Sequence, residues 1–203
     1  MSTIKLYNSS TSGYVRNTSL TSWSDTRDAI TGNNSGTDAQ SLPVAAYRDT
    51  FYQIFRSFFY FDTSEIPDTA TITSAKLYMY AVFTGGTAIS VCEGTQSDTL
   101  ANEDFDSYSG SEYGHITTNT SAYVALSFNA QGISDINKSG VTKLCLRDYT
   151  YDYLNATPTG GDQYSIYTAQ YSDESKRMYL EIEYETESTP TVGTKYPLPA
   201  FKV

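Results

Sequence analysis

The chain has 203 residues, of which 19 are Tyr and 9 are Phe, and carries a formal net charge of −10. An acidic balance of that size disfavours a nucleic-acid phosphate backbone or an anionic membrane surface as partner, and no apolar run is long enough to cross a bilayer. The length suits one all-β domain whose core needs no staples.

Residues 1–50 are rich in Ser, Thr, Asn and Gly. The opening MSTIKLYNSS lacks the charged, apolar, small-residue plan of a secretory signal, so synthesis in a cytoplasm is expected. A short strand is expected near Gly13 to Arg16, then one helical turn within Trp23 to Ala29, capped by Ser22 or Ser24. Asn33 to Gly36 reads as a loop, and Ser41 to Tyr47 leads into Phe51 to Val82, the stretch around which the rest is organised. Its first run places Phe55, Phe59 and Phe61 on one parity and Ile54, Phe58 and Tyr60 on the other, which predicts a strand covered on both sides. Its second run places Leu77, Met79 and Ala81 on one face and Tyr78, Tyr80 and Val82 on the other.

Thr84 to Thr87 reads as a hairpin turn into a strand from Ala88 to Glu93. Residues 95 to 114 read as a long acidic loop with a turn near Leu100 to Phe105, followed by strands at Ile116 to Thr118 and Ala122 to Phe128. Asn129 to Lys138 is the best short-helix candidate, with Asn129 as cap and Ile133 and Ile136 inward. Thr142 to Asp148 is a strand, Tyr149 to Asp162 a turn-rich loop, and Gln163 to Tyr171 and Met178 to Glu185 close the sheet. Cys92 and Cys145 each fall in a strand, and two buried thiols are favoured over a disulfide. Short punctuated strands with little helix predict an antiparallel β-sandwich, jelly-roll-like, over residues 1–187, with an extended, proline-containing arm over 188–203.

Arg56-Ser57-Phe58-Phe59-Tyr60-Phe61-Asp62, then Ile66-Pro67 and Ala70-Thr71-Ile72-Thr73-Ser74-Ala75-Lys76-Leu77, resembles the DNRLRE-type β-sandwich domain. That group is related to disaggregatase repeats and to certain carbohydrate-binding modules. Gly140 to Arg147 and Arg177 to Tyr184 are similar to its closing strands. The chain departs from the pattern at Ala169-Gln170, where a Ser-Glu is usual, and at Arg177-Met178, where Arg-Pro is usual. The resemblance implies a sandwich and a role in contact rather than a reaction, in surface polysaccharide-active proteins or in phage and virus structural proteins.

Chemistry-bearing residues are sparse. His115 is the single histidine, no Gly-x-Ser-x-Gly elbow accompanies it, and no catalytic residue is assigned. Glu103, Asp104, Asp106 and Glu112 share one loop and could pair as glycosidase carboxylates or hold Ca²⁺; Asp148, Asp152 and Asn155 form a second Ca²⁺ candidate, though neither has an Asp-x-Asp-x-Asp-Gly pattern. The expectation is no obligatory cofactor. Tyr149, Tyr151 and Tyr153 alternate and would share one face if extended, a platform for a sugar ring, and Trp23, Tyr108 and Tyr113 lie in loops. Arg56 and Asp62 read as structural. Tyr196, Pro197, Leu198, Pro199 and Phe201 form a stiff apolar segment suited to docking on a neighbour. The expectation is a non-enzymatic virion structural protein, a head decoration, collar or tail component of a tailed phage, likewise homo-oligomeric. The alternative is a carbohydrate-binding module of a surface or secreted protein.

Overall fold

The computed structural model describes residues 1–19, 22–37, 40–85 and 88–186. Twelve strands run β1 (Ser2–Tyr7), β2 (Gly13–Ser19), β3 (Asn34–Gly36), β4 (Ser41–Arg48), β5 (Tyr52–Asp62), β6 (Thr71–Phe83), β7 (Ala88–Gly94), β8 (Tyr108–Thr117), β9 (Ala122–Ser127), β10 (Val141–Asp148), β11 (Gly161–Tyr167) and β12 (Tyr179–Glu185). Every pairing is antiparallel. The hydrogen-bonded order is β1-β12-β6-β11-β4-β5-β10-β7-β8, with β9 on the other side of β6 and β2 on the other side of β5. This sheet curls until its two ends face one another as the layers of an all-β sandwich.

Alternation along the strands builds the core. Ala75, Leu77, Met79 and Ala81 of β6 meet Phe59 and Phe61 of β5, Leu144 and Leu146 of β10, and Ile89 and Val91 of β7 in one buried cluster. Consecutive strands β5 and β6, β6 and β7, β8 and β9, β9 and β10, and β10 and β11 are not paired with each other, so the chain passes repeatedly from one layer to the other, a jelly-roll-like connectivity. The far face of β5 is also covered, as its two apolar parities predict. Ile54 and Phe58 join Val15, Trp23, Phe105, Cys92 and Cys145 in a second cluster. Cys92 and Cys145 stand opposite each other on β7 and β10 as buried free thiols.

Helix α1 (Trp23–Arg27) starts at Ser22, whose side chain accepts from Asp25 N. Helix α2 (Ala130–Ser134) starts at Asn129, whose side chain accepts from Gly132 N, and Ile136 lies buried behind it. Three expectations are corrected. The Thr84 turn is no hairpin, because β7 leaves β6 and pairs with β8 and β10, carrying Ile89 and Val91 to the opposite wall of the core; residues 86–87 of that turn lie outside the described residues. Residues 108–114 are not loop but the first part of β8, whose small and polar residues follow an irregular edge ladder with register shifts against Cys92 and Gly94. Asn34 to Gly36, read as part of a loop, form β3 by pairing with Tyr14 to Arg16 of β2, and β1 forms in a stretch for which no element was expected, its edge position needing just Ile4 and Leu6 to face inward.

Candidate functional site: a tyrosine-paved sheet face

Parity alone decides which side chains the β1-β12-β6-β9 layer turns outward. With Leu77 and Met79 buried, Tyr78 and Tyr80 must point away from the core. Register then collects tyrosines from the neighbouring strands. Tyr179 of β12 lies opposite Tyr78 on one side and opposite Tyr7 of β1 on the other, while Tyr123 of β9 lies opposite Tyr80. Tyr167 of β11 and Tyr171 beyond it complete the set.

The rings touch one another. Tyr78 stacks on Tyr179 at 4.8 Å between centroids and 15° between planes, with Tyr7 6.1 Å further on and Tyr123 6.2 Å from Tyr78. Tyr80, Tyr167 and Tyr171 form a second ladder, with centroid separations of 5.2 and 3.6 Å and nearly parallel planes. Such offset stacking is the favoured geometry for aromatic pairs and holds each ring in place. Tyr7 and Tyr123 remain 55% and 39% exposed. From β1 to β9 the face spans three inter-strand spacings, about 14 Å.

Cations and hydrogen bonds frame it. Lys5 Nζ sits 4.6 Å above the Tyr179 ring and donates to its hydroxyl, and Lys176 Nζ sits 5.3 Å from the Tyr80 ring. Tyr123 Oη donates to Arg177 O at 3.1 Å. Burial, reinforced by Tyr179, pushes the Tyr123 phenol well up; burial beside Glu181 raises Tyr78, and a hydrogen bond with Tyr171 raises Tyr167. The face therefore presents these three phenols in their neutral form. It offers ring faces, hydroxyl donors and acceptors, and side chains with little rotamer freedom left to lose on binding.

The residues singled out in sequence are placed differently. Tyr149–Tyr153 forms a π-helical turn rather than an extended segment. Tyr149 and Tyr153 stack on each other at 5.6 Å, while Tyr151 diverges and packs against the second core cluster, so the three do not share one face. His115 stacks on Tyr149 at 3.9 Å and pairs with Glu112, giving a smaller aromatic patch. Trp23 and Tyr113 are buried, and the Tyr113 hydroxyl donates to Asp135. The guanidiniums of Arg56 and Arg147 lie over the Tyr108 ring, 4.7 and 4.0 Å from its centre.

The acidic candidates do not gather. Asp104 is buried and accepts from Ser97 N, Ser97 Oγ and Ala101 N, fastening its own turn. Asp152 is buried with both oxygens taken by Arg56 and Arg147. Asn155 lies at the surface with a φ of 59°. Among the described residues no group of three or more His, Cys, Asp or Glu side chains is arranged to hold a metal ion. Asp62 accepts from Ser64 N and Oγ at the end of β5, a strand-end role. Tyr196, Pro197, Leu198, Pro199 and Phe201 lie outside the described residues.

Sequence reasoning put Tyr78 and Tyr80 on one face of their strand but missed the assembled surface, because five strands and a loop contribute to it and only register unites them. No family model matches the chain. No curated protein matches it in sequence either.

Proposed function

We propose that this chain is a non-enzymatic structural component of a virus particle, of the tailed-phage kind, on the head, collar or tail, and that the tyrosine face is a surface by which it meets its neighbours. The observation that carries the reading is the set of seven tyrosines, Tyr7, Tyr78, Tyr80, Tyr123, Tyr167, Tyr171 and Tyr179, on the open side of one layer, with rings ordered by mutual stacking. Aromatic residues with a polar tip dominate the energetics of protein contacts, and rings already held in place bind at reduced entropic cost. The particle setting follows from the expected likeness of Arg56 to Leu77 to the DNRLRE-type sandwich domain, whose similar sequences include phage and virus structural proteins as well as surface polysaccharide-active ones. In the test, Tyr78, Tyr123 and Tyr179 are together changed to Ser. The variant is expected to keep a cooperative melt while its copy number in purified particles falls at least tenfold; undiminished incorporation would refute the role of the face.

A second reading, glycan binding, is favoured by one specific arrangement: near-parallel rings rimmed by Lys5 and Glu181, which pairs with it at 3.7 Å. Ring faces pack on the apolar side of a pyranose while flanking charges meet its hydroxyls. Saturation-transfer NMR against soluble polysaccharides tests it, and signal that survives the triple substitution but vanishes in Tyr149→Ala/Tyr153→Ala would move the sugar site to the smaller patch.

A further inference from the structure

The chain has two cysteines, and the fold sets them side by side. Cys145 of β10 is the register partner of Cys92 of β7; both are free, fully buried and part of the second core cluster. Partners across an antiparallel ladder turn their side chains to the same face, with Cα atoms about 4.5–5.5 Å apart. A disulfide bridges Cα separations of about 4.4–6.8 Å. Cys92 Sγ already leans across to the neighbouring strand, 3.7 Å from Cys145 O. A bond between the two sulfurs therefore asks for side-chain rotation with little backbone movement.

While the sheet is closed the thiols are sealed. Burial, reinforced by Cys92, pushes the Cys145 thiol well up and so withholds the thiolate that disulfide exchange needs. The way in lies along the β8 edge. β8 is last in the strand order, and its ladder with β7 slips register on both sides of Cys92. Tyr108, its first residue, pairs with Gly94 and packs against the second cluster. An edge strand on a broken ladder opens at lower free energy than the core strands beside it. Each opening lifts Tyr108 off the cluster that covers the sulfurs.

We infer that Cys92 and Cys145 are a reversible redox lock, two thiols in a reducing compartment and a disulfide between β7 and β10 once the folded chain meets an oxidising one. The oxidant is a small-molecule disulfide. One cysteine attacks it as the thiolate, forming a mixed disulfide and releasing one small thiol; the other cysteine attacks that mixed disulfide and releases the second. Both protein S–H bonds break, one protein S–S bond forms, and two electrons and two protons leave on the two small thiols. The bond joins positions 53 apart and closes a loop that carries β8, β9 and α2. A chain closed in this way gains less entropy on unfolding and melts higher. The inference stands on the β7–β10 ladder and is independent of the particle reading.

The full chain, purified in dithiothreitol and moved into native buffer with oxidised glutathione, tests it. Free thiols are expected to fall from two per chain to none, with peptide mass spectrometry joining Cys92 to Cys145 within one chain. The melting temperature should rise by at least about 5 °C and return when dithiothreitol is restored. Cys92→Ala and Cys145→Ala should each lose the response of the melt to oxidant; should one of them not fold, the other serves, since either removes the bond. Thiols that persist in oxidant, or that end as glutathione adducts or as links between chains, overturn the inference. So does a Cys92–Cys145 bond that forms only when the chain is oxidised in urea, because a switch must close in the folded state. A linked chain that melts no higher than the reduced one would equally refute a lock.

Discussion

Arg56 sits wholly buried in the middle of an aromatic strand, and everything around it explains how a cation can stay there. Its guanidinium donates to both oxygens of Asp152 at 2.8 and 2.9 Å, to Phe105 O at 3.0 Å and to Arg27 O at 2.8 Å, under the ring of Phe105. Arg147 donates to the same carboxylate. The cluster ties α1, the turn at Phe105 and the turn at Tyr149–Tyr153 to β5 and β10. Burial pushes the Asp152 carboxyl up, but Arg147 and Arg56 outweigh it and hold it well below the usual carboxylate range. A depressed folded-state value means that the stabilisation is present above about pH 4, the unfolded value, and is lost as pH falls further. Asp152→Ala, leaving two buried guanidiniums without their counter-ion, is expected to cost about 3–5 kcal/mol in urea unfolding. It should also flatten the dependence of stability on pH below 4; an unchanged profile would remove Asp152 from the cluster's energetics. The structural role of Arg56 was legible from its apolar surroundings. Its partner was not, because Asp152 lies 96 residues away and reads locally as a turn acid.

Elements differ in how openly the sequence displayed them. β5 and β6 announce themselves because runs of 11 and 13 residues are rich in aromatic and β-branched side chains, on both parities in β5. β8 does not, since Ser109, Gly110 and Ser111 have no apolar alternation and the strand is held by ladder bonds at an irregular edge. The Tyr149–Tyr153 turn is set by Asp148, whose side chain accepts from Tyr151 N at 2.6 Å, a local bond that outcompetes extension. At α2 the packing is tight enough to specify one residue. A Cβ on Gly132 would fall 2.6 Å from Cγ of Tyr113, which is buried in the main core. Gly132→Ala should therefore lower stability by about 1–3 kcal/mol despite the better helix propensity of alanine. A gain in melting temperature would show that Tyr113 has room to yield.

At the scale of the whole molecule, layer count and core could be read from periodicity, because the same parity that buries Leu77 and Met79 recurs in Ile89 and Val91, Leu144 and Leu146, and Leu180 and Ile182. The order in which strands lie side by side could not, since loops carry little information about which layer the next strand joins. The tyrosine face is a product of that order: Tyr7 and Tyr179 are 172 residues apart in the chain and neighbours in the ladder. A surface assembled from remote residues by a rigid double layer is preorganised for contact, and that is the property on which the account depends. Footprinting by tyrosine iodination, read by peptide mass spectrometry on isolated protein and on purified particles, addresses it most directly. Tyr7 and Tyr123, the most exposed rings of the face, are expected to react at least tenfold more slowly in particles than in the free chain, while Tyr149 and Tyr153 change little. Equal reactivity of Tyr7 and Tyr123 in both states would contradict a contact made through this face.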